Sequence, residues 1–203
     1  MDLHHPHFLM LGYGVRFDCE ICVALEKRQL LLSNRQIMID GMKFIADGMF
    51  GKLTRWLRLA GHDVIYIGDL GVPANEQDNI LISRANGKKR ILLTCDADLH
   101  RRARRIGSKS IFIRSNDVVG QLVEISNRCG RKIMIRPENS RCPMCNGTIE
   151  RADKKEIEGE VLGTVFDAHR EFWRCSSCDK IYWQGKHWKT ILDMASKYDR
   201  MVK

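Results

Sequence analysis

The chain has 203 residues, 44% of them hydrophobic, and its 34 lysines and arginines exceed its 25 aspartates and glutamates. This length allows one sizeable domain and a smaller one, with enough apolar residues for an ordinary core. Charged residues interrupt every hydrophobic run, which argues against a membrane span of about 20 apolar residues. The N-terminus has no basic region of the kind that opens a secretory signal, so we expect a cytoplasmic protein.

The positive charge is concentrated in the middle of the chain. Residues 42–141 hold 19 basic and 10 acidic side chains, whereas residues 1–41 hold 4 and 5 and residues 142–203 hold 11 and 10. A basic surplus confined to one segment favours a polyanionic partner, with RNA or DNA the first candidates. A basic, solvated surface without a partner is the alternative at this point.

The first 41 residues differ in character from the rest. They are rich in histidine near the start and contain a cysteine pair, Cys19 and Cys22, whereas Met42 opens a run typical of a first strand. We therefore expect the first domain to begin at Met42 and residues 1–41 to be an extension that is either non-native or disordered. The alternative is an N-terminal hairpin whose cysteine pair binds a metal, although no second pair is left to complete four ligands.

From residue 42 onward, short apolar strands alternate with amphipathic helices. Such alternation is typical of a parallel sheet covered by helices. We predict that this α/β domain spans residues 42–137 and that a zinc ribbon with a C-terminal tail follows at 138–203. The predicted strands are 44–46, 64–67, 90–94 and 110–113, and the predicted helices are 52–60, 77–86, 97–105 and 118–129.

Two cysteine pairs define the C-terminal part, Cys142 with Cys145 and Cys175 with Cys178. A two-residue gap lets both thiolates of a pair bind one ion, and two pairs supply the four ligands of a structural Zn²⁺ site. The 29 residues between the pairs exceed the usual ribbon spacing and are expected to form an extended hairpin. Because a site with four protein ligands has no open position for substrate, we expect the zinc to be structural.

Acidic residues follow two of the predicted strands. Asp47 comes directly after the first strand, and Asp96 and Asp98 come after the third. Carboxyl ends of parallel strands share one edge, where the active sites of such sheets lie. Asp78, or Glu76 in its place, would join them if the second helix points its N-terminus toward this edge. Gathered carboxylates usually require a cation, and Mg²⁺ or Mn²⁺ with oxygen ligands can activate water against a phosphodiester.

Each of these acids also has a purely structural explanation, because aspartate at the start of a helix caps its free amide groups. The basic residues near this edge have one too, since runs of charge usually form solvated helix faces. Beside a catalytic edge they would instead bind substrate phosphates, without reading base sequence. The candidates for this role are Lys52, Arg55 and Arg58 after the first strand and Arg101 and Arg102 after the third.

Four segments together resemble a known family, the Mut-seven C-terminal RNase domain. They are Phe44–Asp63, Arg90–Leu99, Arg141–Gly147 and Phe172–Trp188. The family joins a PIN-like nuclease fold to a zinc ribbon, and the resemblance extends from residue 43 to about residue 192.

The resemblance implies metal-dependent ribonuclease activity in which Asp47, Asp96 and Asp98 are counterparts of PIN-type acidic residues, and an endoribonuclease is our leading hypothesis. Asp78 is our choice for the second acidic position, and Asp117 is a further candidate for the same edge. The implied cofactors are structural Zn²⁺ and catalytic Mg²⁺ or Mn²⁺, and the implied partner is RNA. A non-catalytic RNA- or ribosome-binding adaptor and a DNA-directed nuclease are the alternatives.

Overall fold

The computed structural model describes residues 41–87, 89–135 and 139–202. The predicted N-terminal extension and its cysteine pair, Cys19 and Cys22, lie outside the described residues. The strands are β1 (Lys43–Ala46), β2 (Asp63–Tyr66), β3 (Ile91–Thr94), β4 (Ser110–Phe112), β5 (Ile149–Ala152), β6 (Phe172–Cys175) and β7 (Ile181–Trp183). The helices are α1 (Gly51–Leu59), α2 (Ala74–Gly87), α3 (Ala97–Arg105), α4 (Val118–Cys129), α5 (Gly163–Ala168) and α6 (Lys186–Met201). No helix within these ranges is long and apolar enough to cross a membrane.

The first four strands form one parallel sheet in the order β2-β1-β3-β4. Ile45 of β1 lies between Ile65 of β2 and Leu92 of β3, and Leu93 pairs with Ile111 of β4. Each strand is joined to the next through a helix, as parallel pairing requires. The predicted fold class, an α/β domain with a parallel sheet and a cysteine-rich C-terminal part, is confirmed.

Helices cover both faces of this sheet. Alternate residues of a strand point to opposite faces, so Phe44 joins a core with α1 and α4, whereas Ile45 joins a second core with α2 and α3. Burial on both faces explains why these strands are continuous apolar runs rather than alternating ones. The carboxyl ends of β1 and β3 consequently meet at one edge of the sheet.

The C-terminal part contains a second, antiparallel sheet in the order β5-β6-β7. Glu150 pairs with Arg174, and Trp173 pairs with Tyr182. Strands β5 and β6 are the two arms of the predicted hairpin. Its extra length is not extended chain, because the connection forms a 3-10 helix at Lys154–Ile157 and the short helix α5.

The last helix, α6, returns to the first domain and packs on α4. Tyr198 is buried, its hydroxyl lies 2.6 Å from Ser126 Oγ, and it accepts a hydrogen bond from the amide of Ile133 at 2.8 Å. Residues beyond the ribbon therefore complete the core of the α/β domain. The predicted division at residue 138 does not describe this contact, since it assigns the C-terminal tail to the ribbon.

A buried histidine makes the fold sensitive to acid. His62 stacks edge-on against Phe44, and neither ring nitrogen has a hydrogen-bond partner within the described residues. Burial, reinforced by the positive charge of Arg131, lowers the pKa of His62 from 6.5 to about 4. The folded state therefore holds this ring neutral in a pH range where the unfolded chain protonates it.

Stability is therefore expected to fall as the pH drops from 6.5 toward 4, by up to about 3 kcal/mol from His62 alone. Denaturant unfolding of the wild type and of His62→Leu across this range measures the difference. Both proteins share the cysteine residues, so acid release of any metal cancels in the comparison. If the difference in unfolding free energy between the wild type and His62→Leu did not change with pH, the lowered pKa of His62 in the folded state would be contradicted.

Candidate active site and metal centre

Asp47 lies at the carboxyl end of β1 and begins a 3-10 helix, Gly48–Phe50. Its Oδ1 accepts a hydrogen bond from the amide of Gly48 at 2.6 Å, and its Oδ2 accepts one from the Thr94 hydroxyl at 2.8 Å. Thr94 is fully buried at the end of β3, the neighbouring strand. The carboxylate of Asp47 is thus fixed by groups from both strands.

The same threonine positions Asp96. The Thr94 oxygen accepts a hydrogen bond from the Asp96 amide at 2.9 Å, and Asp96 Oδ1 caps α3 by accepting from the amides of Asp98 and Leu99 at 2.7 and 3.0 Å. The second oxygen of Asp96, Oδ2, takes no part in these capping bonds. One buried hydroxyl therefore links the two aspartates that the sequence placed at the ends of β1 and β3.

Cys95 lies between these two acids in the chain. Burial raises the pKa of its thiol, and the negative charges of Asp47 and Asp96 raise it further. The two carboxylates therefore disfavour the thiolate form of Cys95. The Cys95 Sγ is also 3.2 Å from the sulfur of Met49.

Asp98 and Asp78 are each paired with one of the cations predicted to bind phosphate. Asp98 forms an exposed ion pair with Arg101, and Asp78 Oδ2 lies 2.8 Å from Arg102 Nη1. Arg102 also donates to Asn79 Oδ1 at 3.0 Å. Among the described residues, only the four cysteines bring three or more potential ligand atoms within 4.8 Å of one another. The four carboxylates are therefore more widely spaced than the thiols.

Two further residues approach this edge without having been predicted. Gln77, in the first turns of α2, has its Oε1 3.8 Å from the position that a Cβ on Gly48 would occupy. Glu124 of α4 accepts hydrogen bonds from the Ser115 amide at 2.7 Å and the Ser115 hydroxyl at 2.5 Å, which fixes the loop after β4. Burial raises the pKa of Glu124, but these bonds outweigh it and lower the pKa below its usual value.

Asp117, the further candidate for the edge, caps α4. It accepts hydrogen bonds from the amides of Val119 and Gly120 at 3.1 and 3.2 Å. This is the structural role that an aspartate before a helix commonly has. The sequence gives no signal that separates it from Asp96, which caps α3 in the same manner.

The four cysteines gather at one point. Their sulfur atoms lie within 4.8 Å of one another, with Cys142 and Cys178 at 3.7 Å and Cys145 and Cys175 at 3.4 Å. Tetrahedral zinc with bonds of about 2.3 Å needs sulfur atoms roughly 3.8 Å apart. The donor set and its spacing fit this geometry, so the cluster could hold a metal such as zinc.

Backbone and side-chain donors surround these sulfur atoms. The amides of Gly147 and Ser177 lie 3.4 Å from the sulfur atoms of Cys145 and Cys175. The Tyr182 hydroxyl lies 3.0 Å from Cys142 Sγ. Burial raises the pKa of Cys142, but this hydroxyl and nearby amides lower it to about 7. These contacts favour the thiolate of Cys142, whereas burial and the neighbouring cysteine sulfur atoms raise the pKa of Cys145 to about 12.

The first cysteine pair is docked on the outer strand of the parallel sheet. Asn146 accepts from the Val64 amide at 3.0 Å and donates to Asp63 Oδ1 at 2.7 Å. Arg58 is 4% exposed and donates to the carbonyls of Pro143 and Met144 at 3.1 and 3.0 Å. We call residues 142–147, which hold the first cysteine pair, the first cysteine loop. This loop covers Arg58, so the prediction that Arg58 binds phosphate is wrong.

Arg58 also holds the Val64 carbonyl at 2.9 Å and Asp69 Oδ2 at 2.8 Å, so it links α1, β2 and the first cysteine loop. Arg58→Met is expected to lower the unfolding free energy by about 3 kcal/mol, because buried acceptors lose their donor. Arg55→Met on the same helix removes an exposed charge and should change stability by less than about 0.5 kcal/mol. Denaturant unfolding compares the two, and equal effects would show that Arg58 does not link the domains.

Lys52, Arg55, Arg101 and Arg102 are all exposed. Lys52 and Arg55 have no ion-pair partner in the described part of the chain, in contrast to Arg101 and Arg102. Lys52 and Arg55 lie on α1, which follows Asp47 after the 3-10 helix. Their position leaves both charges available near the end of β1.

The fold and the two sites define a parallel α/β domain with acidic residues at its carboxyl edge, joined to a four-cysteine ribbon. The family model of the Mut7-C RNAse domain matches residues 42–195, and the chain belongs to this family. The expected family resemblance is confirmed. Neither the curated proteins nor the solved structures include a match to this chain.

Proposed function

We propose that this protein is a divalent-metal-dependent endoribonuclease whose reaction takes place at the carboxyl edge of the parallel sheet. Membership of an RNase family suggests RNA-directed nuclease activity. The observation that carries the assignment is the Thr94 hydroxyl, which links Asp47 and Asp96 across two strands. The hydroxyl fixes the Asp47 carboxylate and the Asp96 backbone, and the amides of α3 fix the Asp96 carboxylate, so both oxygen donors are oriented at neighbouring strand ends.

A Mg²⁺ or Mn²⁺ ion bound there would activate a water molecule and stabilise the charge that develops on the phosphodiester. Asp47 and Asp96 would hold the ion, with Asp98 and Asp78 as further ligands. Lys52 and Arg55 would position the phosphates of the substrate on the other side of the edge. Thr94 would orient the Asp47 carboxylate without touching the substrate.

The ion pairs of Asp98 and Asp78 are compatible with this proposal. Each pair has to open before its carboxylate can bind a cation and its guanidinium can bind phosphate. All four side chains are between 44% and 73% exposed, and exposed pairs of this kind contribute about 1 kcal/mol or less. Opening them therefore takes little of the energy that a divalent ion and a polyanion supply.

For the four cysteines we propose a structural zinc site. Thiolate ligands at this spacing favour zinc, and four protein ligands leave no position for a substrate. The contacts of Arg58 and Asn146 with the first cysteine loop would transmit the stability of the metal site to the edge strand β2.

A non-catalytic RNA-binding adaptor is the second candidate, and the carboxylates themselves give the observation that favours it. Asp96 caps α3, Asp98 and Asp78 are paired with arginines, and within the described residues no three carboxylates come within 4.8 Å. In an adaptor these acids would have structural roles only, and the basic surface would bind RNA without cleaving it.

Incubation with a circular single-stranded RNA tests the proposal, because only an endonuclease opens a circle. Cleavage is expected with added Mn²⁺ or Mg²⁺ and not without it, while a DNA circle of the same sequence separates RNA from DNA activity. Omitting the ion, rather than adding a chelator, leaves zinc on the cysteines. Binding without cleavage in every ion would favour the adaptor.

A further inference from the structure

The parallel sheet has two outer strands, β2 and β4, and these two lateral edges differ in what lies against them. At β2, the amide of Val64 is occupied by Asn146 of the first cysteine loop. At the other edge is β4, which is flanked by α3 on one face and α4 on the other. This second edge carries a group of aromatic and basic residues that the proposed reaction does not use.

An aromatic pair lies at the centre of this group. The rings of Phe112 and His100 are 5.9 Å apart, and the guanidinium of Arg114 lies 5.9 Å from the centre of the Phe112 ring. His100 Nδ1 is 2.8 Å from the hydroxyl of Ser110, which holds its ring against β4. Phe112 and His100 are only half-buried, so part of each ring faces solvent.

Exposed cations from four segments lie along β4 and on the two helices that flank it. Arg104 belongs to α3, Lys109 precedes β4, Arg114 follows β4, and Arg128 belongs to α4; all four are exposed. Lys109 and Arg114 stand at opposite ends of the strand, about 16 Å apart at the rise of an extended chain. Arg104 follows His100 by four residues on α3 and therefore lies on the same side of that helix. Burial lowers the pKa of His100, and the charges of Arg104 and Arg128 lower it further. We call these six residues, His100, Arg104, Lys109, Phe112, Arg114 and Arg128, the β4 strip.

The positive charge of the β4 strip is only partly balanced by acidic side chains, chiefly by Glu124 near Arg114. None of its four cations forms an ion pair with another described residue, whereas Arg101 and Arg102 on the same helix as Arg104 are both paired. Residues 97–131 contain eight basic and three acidic side chains. Asp98 is engaged with Arg101 and Asp117 with the start of α4, whereas Glu124 accepts hydrogen bonds from the amides of Arg114 and Ser115.

We propose that the β4 strip binds single-stranded nucleic acid, with its cations on the phosphates and the solvent-accessible parts of the Phe112 and His100 rings against a base. Unpaired cations around aromatic rings are the combination that binds single strands without reading their sequence. The strip leads to the proposed active edge, because the amide of Ile113, after β4, donates to the Thr94 carbonyl at 2.9 Å. That the strand is RNA rests on the function proposed above.

Binding of a fluorescent single-stranded RNA, without divalent ions so that no cleavage occurs, tests the β4 strip. Arg104→Gln with Arg128→Gln should weaken binding on the order of 20-fold at about 0.1 M salt and reduce the log–log salt slope by about 1.4. Phe112→Leu keeps an apolar side chain but removes the stacking surface, and should weaken binding about fivefold. The control, Lys155→Gln with Lys189→Gln, removes two exposed charges from the C-terminal part and should change affinity less than twofold.

Equal affinities of the wild type and both strip variants would overturn the proposal, as would an equal loss in the control. It would also be overturned if poly-glutamate, but not RNA, bound in a manner that depended on Arg104 and Arg128. Lys109→Gln with Arg114→Gln repeats the test should the first pair of substitutions lower the melting temperature. RNA binding that depends on the strip in a protein that never cleaves RNA would support the strip and contradict the nuclease. Strip variants that still cleave RNA and bind it with wild-type affinity would support the nuclease and contradict the strip.

Discussion

Serine in place of Cys175 is expected to unfold the ribbon and to abolish binding of the proposed zinc ion. The Cys175 side chain is buried within the four-sulfur cluster, and its sulfur lies 3.4 Å from that of Cys145. A structural zinc site supplies about 10 kcal/mol or more of folding free energy in small domains, and most of it depends on the complete ligand set. The small sheet β5-β6-β7 has few other buried residues, so it cannot replace this energy.

The effect should extend into the α/β domain. Arg58 would lose the carbonyls of Pro143 and Met144, and Val64 would lose Asn146, if the first cysteine loop came away from β2. We therefore expect a lower melting temperature for the whole protein and faster amide hydrogen exchange in β2 as well as in the ribbon.

Elemental analysis should find about one zinc per chain in the wild type and almost none in Cys175→Ser. Cys129→Ser is the matched control, because Cys129 is a half-buried thiol outside the cluster and its replacement should leave the zinc content unchanged. A zinc-free wild type with an intact ribbon, or a Cys175→Ser protein that keeps its metal, would contradict the structural role.

The helices were predictable wherever their ends carry a local signal. The predicted bounds of α3 and α4 agree with the structure, because each begins after a capping aspartate, Asp96 or Asp117. Gly130 then ends α4 in a left-handed conformation that favours glycine, with a φ of 63°. The grouping of the four cysteines was predictable for a similar reason, since a two-residue gap fixes the geometry of each pair.

Contacts between distant segments were not predictable in this way. Tyr198 and Ser126 are 72 positions apart, and an amphipathic pattern does not say which surface a helix will cover. Arg58 was expected to be exposed because it is charged, but its burial depends on carbonyls more than 80 positions away. The pairing of Asp78 with Arg102 likewise depends on how α2 packs against α3.

We predicted no role for Thr94 from the sequence, although it stands two residues before Asp96 in the run Thr94–Cys95–Asp96. A buried threonine at a strand end usually satisfies its own backbone, and nothing in the run indicates a bond to Asp47. That bond forms because β1 and β3 are neighbours, which follows from the sheet order and not from the local sequence.

Asparagine in place of Asp96 or Asp47 is expected to abolish RNA cleavage while leaving RNA binding intact or stronger. Asparagine caps helices about as well as aspartate, so Asp96→Asn should retain α3 and lose only the charge. Residues that merely orient metal ligands change activity about 10- to 100-fold when replaced, so the loss of a ligand should exceed about 100-fold. Binding should not weaken, because each substitution removes a negative charge close to the phosphates.

Thr94→Val separates the orienting role from the ligand role. It keeps the shape of the buried side chain but removes the hydroxyl that Asp47 and the Asp96 amide share. Cleavage should fall by about 10- to 100-fold, and raising the Mn²⁺ concentration should restore part of it if the loss lies in ion affinity. No concentration of Mn²⁺ should restore cleavage by the double variant that carries both Asp47→Asn and Asp96→Asn.

Asp153→Asn provides the control for these measurements. Asp153 caps the 3-10 helix of the ribbon through the amide of Lys155 at 2.9 Å, so it has the local role of Asp96 without its position at the sheet edge. Its replacement should leave cleavage unchanged. If Asp47→Asn with Asp96→Asn also cleaved RNA at the wild-type rate, the two aspartates would be helix caps and nothing more. The carboxyl edge would then have no catalytic role. An adaptor that binds RNA without cleaving it would become the better interpretation of this protein.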